Sequence, residues 1–160
     1  MRLSELTNLR ILDVGIGTAP YGELLLKNGN KLTGADQNPH LCRLPVKVYK
    51  VDATDLTGKG RFDVVIATWL SEYLSSQQLS VFLQQAAKIS NRVILTIIPK
   101  TFLGWLYTFS ARMIRGVCKY NHSVKWSINQ MQKVGFGNIT VKRLPVVWGI
   151  SWAYLLTGNK

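Results

Sequence analysis

The sequence predicts an α/β domain built on a mainly parallel sheet. Three observations carry this. Short apolar runs rich in Val, Ile and Leu alternate with helix-patterned stretches. Two of those runs, FDVVIAT and RVILTII, are apolar throughout, as strands buried on both faces should be. The first run passes into a glycine-rich turn and then a helix, in ILDVGIGTAPYG.

The elements follow in order. Residues 9–14 form a strand stopped by Gly15. Residues 20–28 form a helix opened by Pro20 and closed by Gly29. Residues 32–35 and 46–51 are two further strands, the second with Lys47, Tyr49 and Val51 on one face. Residues 62–68 are the fourth strand. Ser75 or Ser76 caps a helix that runs to about residue 89. Residues 92–98 are the fifth strand, ended by Pro99. Residues 101–120 are aromatic, basic and helical, and residues 123–134 form another helix closed by Gly135. Residues 139–144 and 151–157 are the last strands.

At 160 residues the chain suits one domain, 1–160, large enough to bury a core without disulfides or metal. Cys42 and Cys118 match no metal spacing and read as reduced thiols of a cytoplasmic protein. The N-terminus has no apolar segment of signal-peptide type, and no run is long enough to span a bilayer. The net charge of +12 is unevenly placed. Through Glu72 there are nine Lys and Arg against eight Asp and Glu; beyond it there are eleven and none. The basic half suits an anionic partner, whether nucleic acid, acidic lipid or an anionic substrate, or simply confers solubility.

The opening turn points to a nucleotide-type ligand at the carboxyl edge of the sheet. The dinucleotide fingerprint needs a third glycine or alanine where this chain has Pro20; its small residue comes earlier, at Ala19. Asp13 precedes the turn, and a carboxylate there repels a pyrophosphate. No Gly-Lys-Ser/Thr phosphate cradle is present. S-adenosylmethionine meets these conditions, because it carries a sulfonium and an ammonium and no phosphate. Gly15 and Gly17 would let the backbone approach it closely. The alternative for Asp13 is a carboxylate that caps the turn. Asp36 ends the second strand, where a carboxylate can accept both ribose hydroxyls. Asp52 follows the third strand and either accepts an adenine amino hydrogen, with the Ala53 backbone at the ring edge, or begins a turn. Thr68 and Trp69 end the fourth strand, where the methionine end should lie.

ILDVGIGTA, LTGADQNP, VDATDL and RFDVVIATWLSEYL together resemble the successive motifs of class I S-adenosylmethionine-dependent methyltransferases. KVGFGNITV is similar to that family's late Gly-Phe turn before an antiparallel pair of strands. The resemblance covers residues 9–98 well and 122–160 loosely. It implies a Rossmann-like three-layer sandwich with a mainly parallel seven-stranded sheet and an antiparallel C-terminal strand. It implies that Asp13, Gly15 and Gly17 line the methionine end, with Thr18 and Ala19 in the same turn. It assigns Asp36 to the ribose with Gln37 beside it, Asp52 and Ala53 to the adenine, and Thr68 and Trp69 to the active-site edge. Two departures stand out. Ala19 replaces the third turn glycine, and only about ten residues precede the first strand, fewer than the family's covering N-terminal helices need.

Methyl transfer needs alignment more than acid–base chemistry, because the cofactor supplies the activated group. A base helps where a hydroxyl proton must leave, and His122 is the preferred candidate, ahead of His40, Glu72 and Tyr73. Tyr73 and Trp69 are better suited to pocket walls, and a mechanism without a base is the leading reading. The Asn/Asp-Pro-Pro-aromatic run of amino methylation of bases is absent, since that place reads Thr68, Trp69, Leu70, Ser71. No cysteine stands nearby for cytosine C5 chemistry, and with no acid beyond Glu72 a carboxylate metal site in the second half is excluded.

The aromatic, basic insert at 100–122 is the second informative stretch. As one helix it would set Arg112, Arg115 and Lys119 on one face and Leu103, Leu106, Met113 and Val117 on another. That composition suits a helix at a membrane interface, a lid on an apolar pocket, or an ordinary helix packed on the sheet. The expectation is methyl transfer to a small, lipophilic or membrane-associated acceptor, with peripheral contact to an anionic membrane. The rivals are an RNA methyltransferase and a non-catalytic S-adenosylmethionine-binding subunit completed by a partner chain or a second copy.

Overall fold

The computed structural model describes residues 3–115, 119–144 and 153–160. Seven strands form one sheet: β1 (Arg10–Val14), β2 (Lys31–Asp36), β3 (Lys47–Lys50), β4 (Val64–Ala67), β5 (Arg92–Ile97), β6 (Gly137–Leu144) and β7 (Ala153–Asn159). Their order is β3-β2-β1-β4-β5-β7-β6. The first five strands are mutually parallel, and β7 runs antiparallel to both β5 and β6. The helices are α1 (Gly22–Lys27), α2 (Ser76–Ile89), α3 (Phe102–Arg115) and α4 (Val124–Lys133).

The sheet separates two cores, because successive side chains of a strand point to opposite faces. Leu12, Val14 and Val65 pack with Leu79, Phe82 and Leu83 of α2 and Met131 of α4. Ile11, Val64 and Ile66 pack with Leu25 of α1 and with Leu6. β4 is buried along its whole length, as its unbroken apolar run predicts. The architecture is the expected Rossmann-like sandwich with its antiparallel C-terminal strand.

Several boundaries differ from the sequence reading. The first helix begins at Gly22 and not at Pro20, because residues 16–22 are spent on tight turns: the Ala19 N–H donates to the Ile16 carbonyl and the Gly22 N–H to the Ala19 carbonyl. Ser75 is the cap of α2, and its hydroxyl and the Gln78 side chain bond reciprocally to each other's backbone N–H. The fourth strand loses Phe62, which makes only an isolated bridge to Ser90. The described part of α3 is Phe102–Arg115, and Lys119 lies in no helix, so it does not continue a basic helix face. Lys119 is instead drawn inward to pair with buried Glu72. The side chains of Leu103, Arg112 and Arg115, together with Val117, Cys118 and residues 151–152, lie outside what the structure describes.

The topology fixes where a ligand can sit. From β1 the chain winds outward through β2 to β3, and β4 then returns to the other side of β1. Loops leaving β1 and β4 diverge, which opens a crevice at the carboxyl ends of these strands.

Candidate cofactor cleft

A cleft of about 760 Å³ occupies that crevice. The turn after β1 supplies Gly15, Gly17 and Thr18; the end of β2 supplies Asp36 and Gln37; the loop after β3 supplies Asp52 and Ala53; the loop after β4 supplies Thr68, Trp69 and Tyr73. Residues up to 58 positions apart in sequence, Gly15 and Tyr73, thus meet because four parallel strands end at one edge.

The glycine turn is built for close approach. Gly15 has φ +72°, its N–H donates to the Ala35 carbonyl at 2.7 Å, and a Cβ there would lie 2.9 Å from Leu70 Cδ1. Gly17 has φ +49°, and its N–H donates to Asp36 Oδ2 at 2.9 Å. Asp36 therefore ties the first two strand ends together, and its Oδ1 accepts the Asn38 N–H at 2.8 Å. Asp52 Oδ1 accepts both the backbone N–H and the hydroxyl of Thr54, and Gln37 Nε2 donates to Asp52 Oδ2 at 2.6 Å. The Thr54 bonds, aided by Gln37, hold the Asp52 carboxyl below the usual carboxylate range. Asp52 thus both begins a turn and keeps a fixed carboxylate on the cleft wall.

Of the residues singled out from the sequence, Asp13, Ala19, His40, Glu72 and His122 stand outside the wall. Asp13 is buried behind the turn, and its Oδ1 has no hydrogen-bond partner among the described residues. Burial, with a smaller push from the charge of Asp36, raises its pKa to about 7. Ala19 is buried in the α1-side core with φ +57°. His122 is buried beneath the residues that follow β4: its Nε2 lies 3.0 Å from the carbonyls of both Ser71 and Leu74, so Nε2 carries the proton and donates to them. Burial lowers its pKa, which keeps the ring neutral. His122 thereby anchors a loop and does not face the cleft.

The sequence reading missed Leu70, Leu74, Leu41 and Gln78, all of which line the cleft. Gln78 was readable, because Ser75-x-x-Gln78 is a capping-box signature that fixes where α2 starts. Leu41 is an exposed apolar residue of the short turn Pro39–Leu41, for which the sequence carries no signal. Trp69 takes φ +59°, a left-handed conformation that is strained for a bulky residue and turns the chain at the cleft mouth.

A second cavity of about 640 Å³ lies beside the first, walled by Lys100, Phe102, Trp105, Thr108, Tyr120 and Ser76. The segment from Leu70 to Gln78 contributes to both cavities. Among the described residues no group of three His, Cys, Asp or Glu side chains could hold a metal ion.

A family model described as a methyltransferase domain matches residues 12–92, which contain every strand end of the cleft. No curated protein matches the chain in sequence. Solved structures share its fold. Magnesium protoporphyrin IX methyltransferase from Synechocystis PCC 6803, with S-adenosylhomocysteine bound, has a TM-score of 0.74 at 19% identity, over 98% of this chain and 75% of that one. A possible histamine N-methyltransferase from Thermotoga maritima has 0.75 at 20%, over 98% and 84%. An S-adenosylmethionine-dependent methyltransferase from Archaeoglobus fulgidus has 0.77 at 16%, over 99% and 88%. Sequence motifs, cleft and family match agree: the chain belongs to the methyltransferase domain family, with the class I, S-adenosylmethionine-dependent fold.

Proposed function

We propose that the chain transfers a methyl group from S-adenosylmethionine to a small, lipophilic acceptor met at a membrane surface. One observation carries the cofactor assignment. The charged side chains on the cleft wall are Asp36 and Asp52, and no Lys or Arg stands among its described lining residues. An acid-lined cleft without cations is hostile to a pyrophosphate and suited to a cationic nucleoside. The partnerless oxygen of Asp13 behind the turn adds to the same field.

The roles divide by position. Asp36 would accept the ribose hydroxyls, with Gln37 beside it, and Asp52 with the Ala53 backbone would take the adenine edge. Gly15 and Gly17 would give the amino-acid end room at the backbone, with Thr18 in the same turn. When bound, the cofactor supplies a methyl group activated on its sulfonium. The chain contributes orientation and exclusion of water: Trp69, Leu70 and Leu74 wall the cleft, a few residues before Ser76 of the second cavity. That cavity, with Phe102, Trp105 and Tyr120 on its walls, suits an apolar acceptor. No base is assigned. His122 donates from Nε2 into the protein, and Tyr73 serves as a wall beside the reacting centre.

Calorimetric titration with S-adenosylhomocysteine tests the reading. Micromolar binding is expected, at least about tenfold weaker in Asp36→Asn, which loses the charge and keeps the shape. NAD should not bind. Tight NAD binding, or S-adenosylhomocysteine binding indifferent to Asp36, would overturn the assignment.

A further inference from the structure

The most exposed apolar residues of the described chain belong to α3. Phe102, Met113 and Ile114 are 74%, 70% and 81% exposed, and Trp105, Leu106 and Phe109 are about half exposed. Phe102, Trp105, Leu106, Phe109 and Met113 fall within about 100° of the helix circumference at 3.6 residues per turn. The stripe faces outward, which inverts the usual arrangement of a surface helix. On the other side Gly104 is buried against the body, where a Cβ would come within 2.2 Å of the Pro99 carbonyl oxygen. The glycine lets α3 lie close with its small side inward and its large side chains out. Three of these rings form a continuous ladder: Phe102 and Trp105 are 6.1 Å apart and Trp105 and Phe109 5.2 Å, all stacked.

Contiguous apolar surface of this kind marks an interaction site. Charge selects the occupant. The segment from Lys100 to Arg115 carries Lys100, Arg112 and Arg115 and no acid. Glu72, the last acid in the chain, is buried and neutralised by Lys119. We infer that the outward stripe of α3 docks the protein on an anionic lipid surface, with the rings and Met113 in the headgroup–acyl boundary. A second copy of a chain with net charge +12 would bring like charge against like. An RNA would meet rings already stacked on one another and an aliphatic edge of Leu106, Met113 and Ile114 that offers bases nothing. The inference deepens the proposal of a lipophilic acceptor and rests on it: Phe102 and Trp105 belong both to the stripe and to the second cavity, so an acceptor dissolved in the bilayer would enter where the helix docks.

Flotation of the full chain with vesicles tests this, using phosphatidylcholine alone and an equal mixture of phosphatidylcholine and phosphatidylglycerol. The protein should float with the anionic vesicles, less so as salt is raised. Phe109→Ser with Met113→Ser should lower partitioning about tenfold or more, with S-adenosylhomocysteine affinity unchanged as the check on folding. Leu106→Ser with Ile114→Ser is a second, independent pair. No flotation, or flotation that both pairs retain, overturns the inference. So does a dimer seen in sedimentation, or retention on immobilised tRNA, that the same substitutions abolish. Failure of the cofactor reading would appear in the titration and leave flotation untouched.

Discussion

Asp13 stands next to last in β1 with its carboxyl shut away from water and with Oδ1 unsatisfied among the described residues. Its pKa of about 7 stands above the ordinary 3.8, so the folded chain holds this proton more tightly than the unfolded one. The resulting stability is complete below about pH 4 and is lost as pH rises towards 7. Asp13→Asn removes the charge and should make the ligand-free protein more stable than its parent by about 1–3 kcal/mol at pH 8. Urea unfolding at pH 5 and pH 8 checks it: the difference between the two proteins must grow with pH. An equal difference at both values would mean that burial of the charge is not what Asp13 costs. The same substitution should weaken S-adenosylhomocysteine, whose ammonium loses an opposing charge. The presence of an acid at the end of β1 was legible in the sequence. Its place behind the wall was not, because depth depends on how the turn at Gly15 folds over Asp13 towards Leu70, a contact between distant segments.

At the scale of elements, the connection from α3 to α4 is strapped across the turn that follows β4. Lys119 pairs with Glu72, the Tyr120 N–H donates to the Glu72 carbonyl at 2.7 Å, and His122 holds the carbonyls of Ser71 and Leu74. The ion pair is buried, so removal of Lys119 takes the opposing charge away from a carboxylate shut off from water. Lys119→Met should cost roughly 3–5 kcal/mol, and Glu72→Gln added to it should recover much of that loss. A double variant no better than Lys119→Met would show that packing, not the buried charge of Glu72, dominates. His122 gives the strap a pH dependence of the opposite sign to that of Asp13. Its pKa is lowered, so its contribution is complete above the ordinary 6.5 and is lost as pH falls. His122→Gln should flatten the acid limb of stability near pH 6 and lower stability at pH 8 by about 1–3 kcal/mol, through the imidazole hydrogen bonds lost at the Ser71 and Leu74 carbonyls. Denaturation across that range reads both effects. The strands were legible because burial on both faces leaves an unbroken apolar run, as in β4 and β5. The strap was not. Spacings of three and four at Arg112, Arg115 and Lys119 satisfy a helix, and only the pairing with a carboxylate 47 residues away takes Lys119 out of it.

Taken whole, the molecule divides its work unevenly along the chain. Every described residue that lines the cleft lies within 14–78, whereas the second cavity and the outward stripe come chiefly from 100–121. The first half was legible because alternating strands and helices dictate a parallel sheet, and a parallel sheet dictates where its loops open a crevice. The second half was legible only as composition. An amphipathic pattern states which residues share a face and not whether that face turns inward, and α3 turns it outward. This division makes ligand binding and membrane docking separable, and heat can test it. A ligand that binds only the folded state at about a hundred times its Kd adds about 2.7 kcal/mol. For a chain of this length that raises Tm by roughly 5–10 °C. S-adenosylhomocysteine should produce this shift in the parent and in Phe109→Ser with Met113→Ser alike, and little of it in Asp36→Asn. NAD should produce none. A shift abolished by the α3 substitutions would mean that the helix closes over the cofactor cleft and that the two halves act as one site.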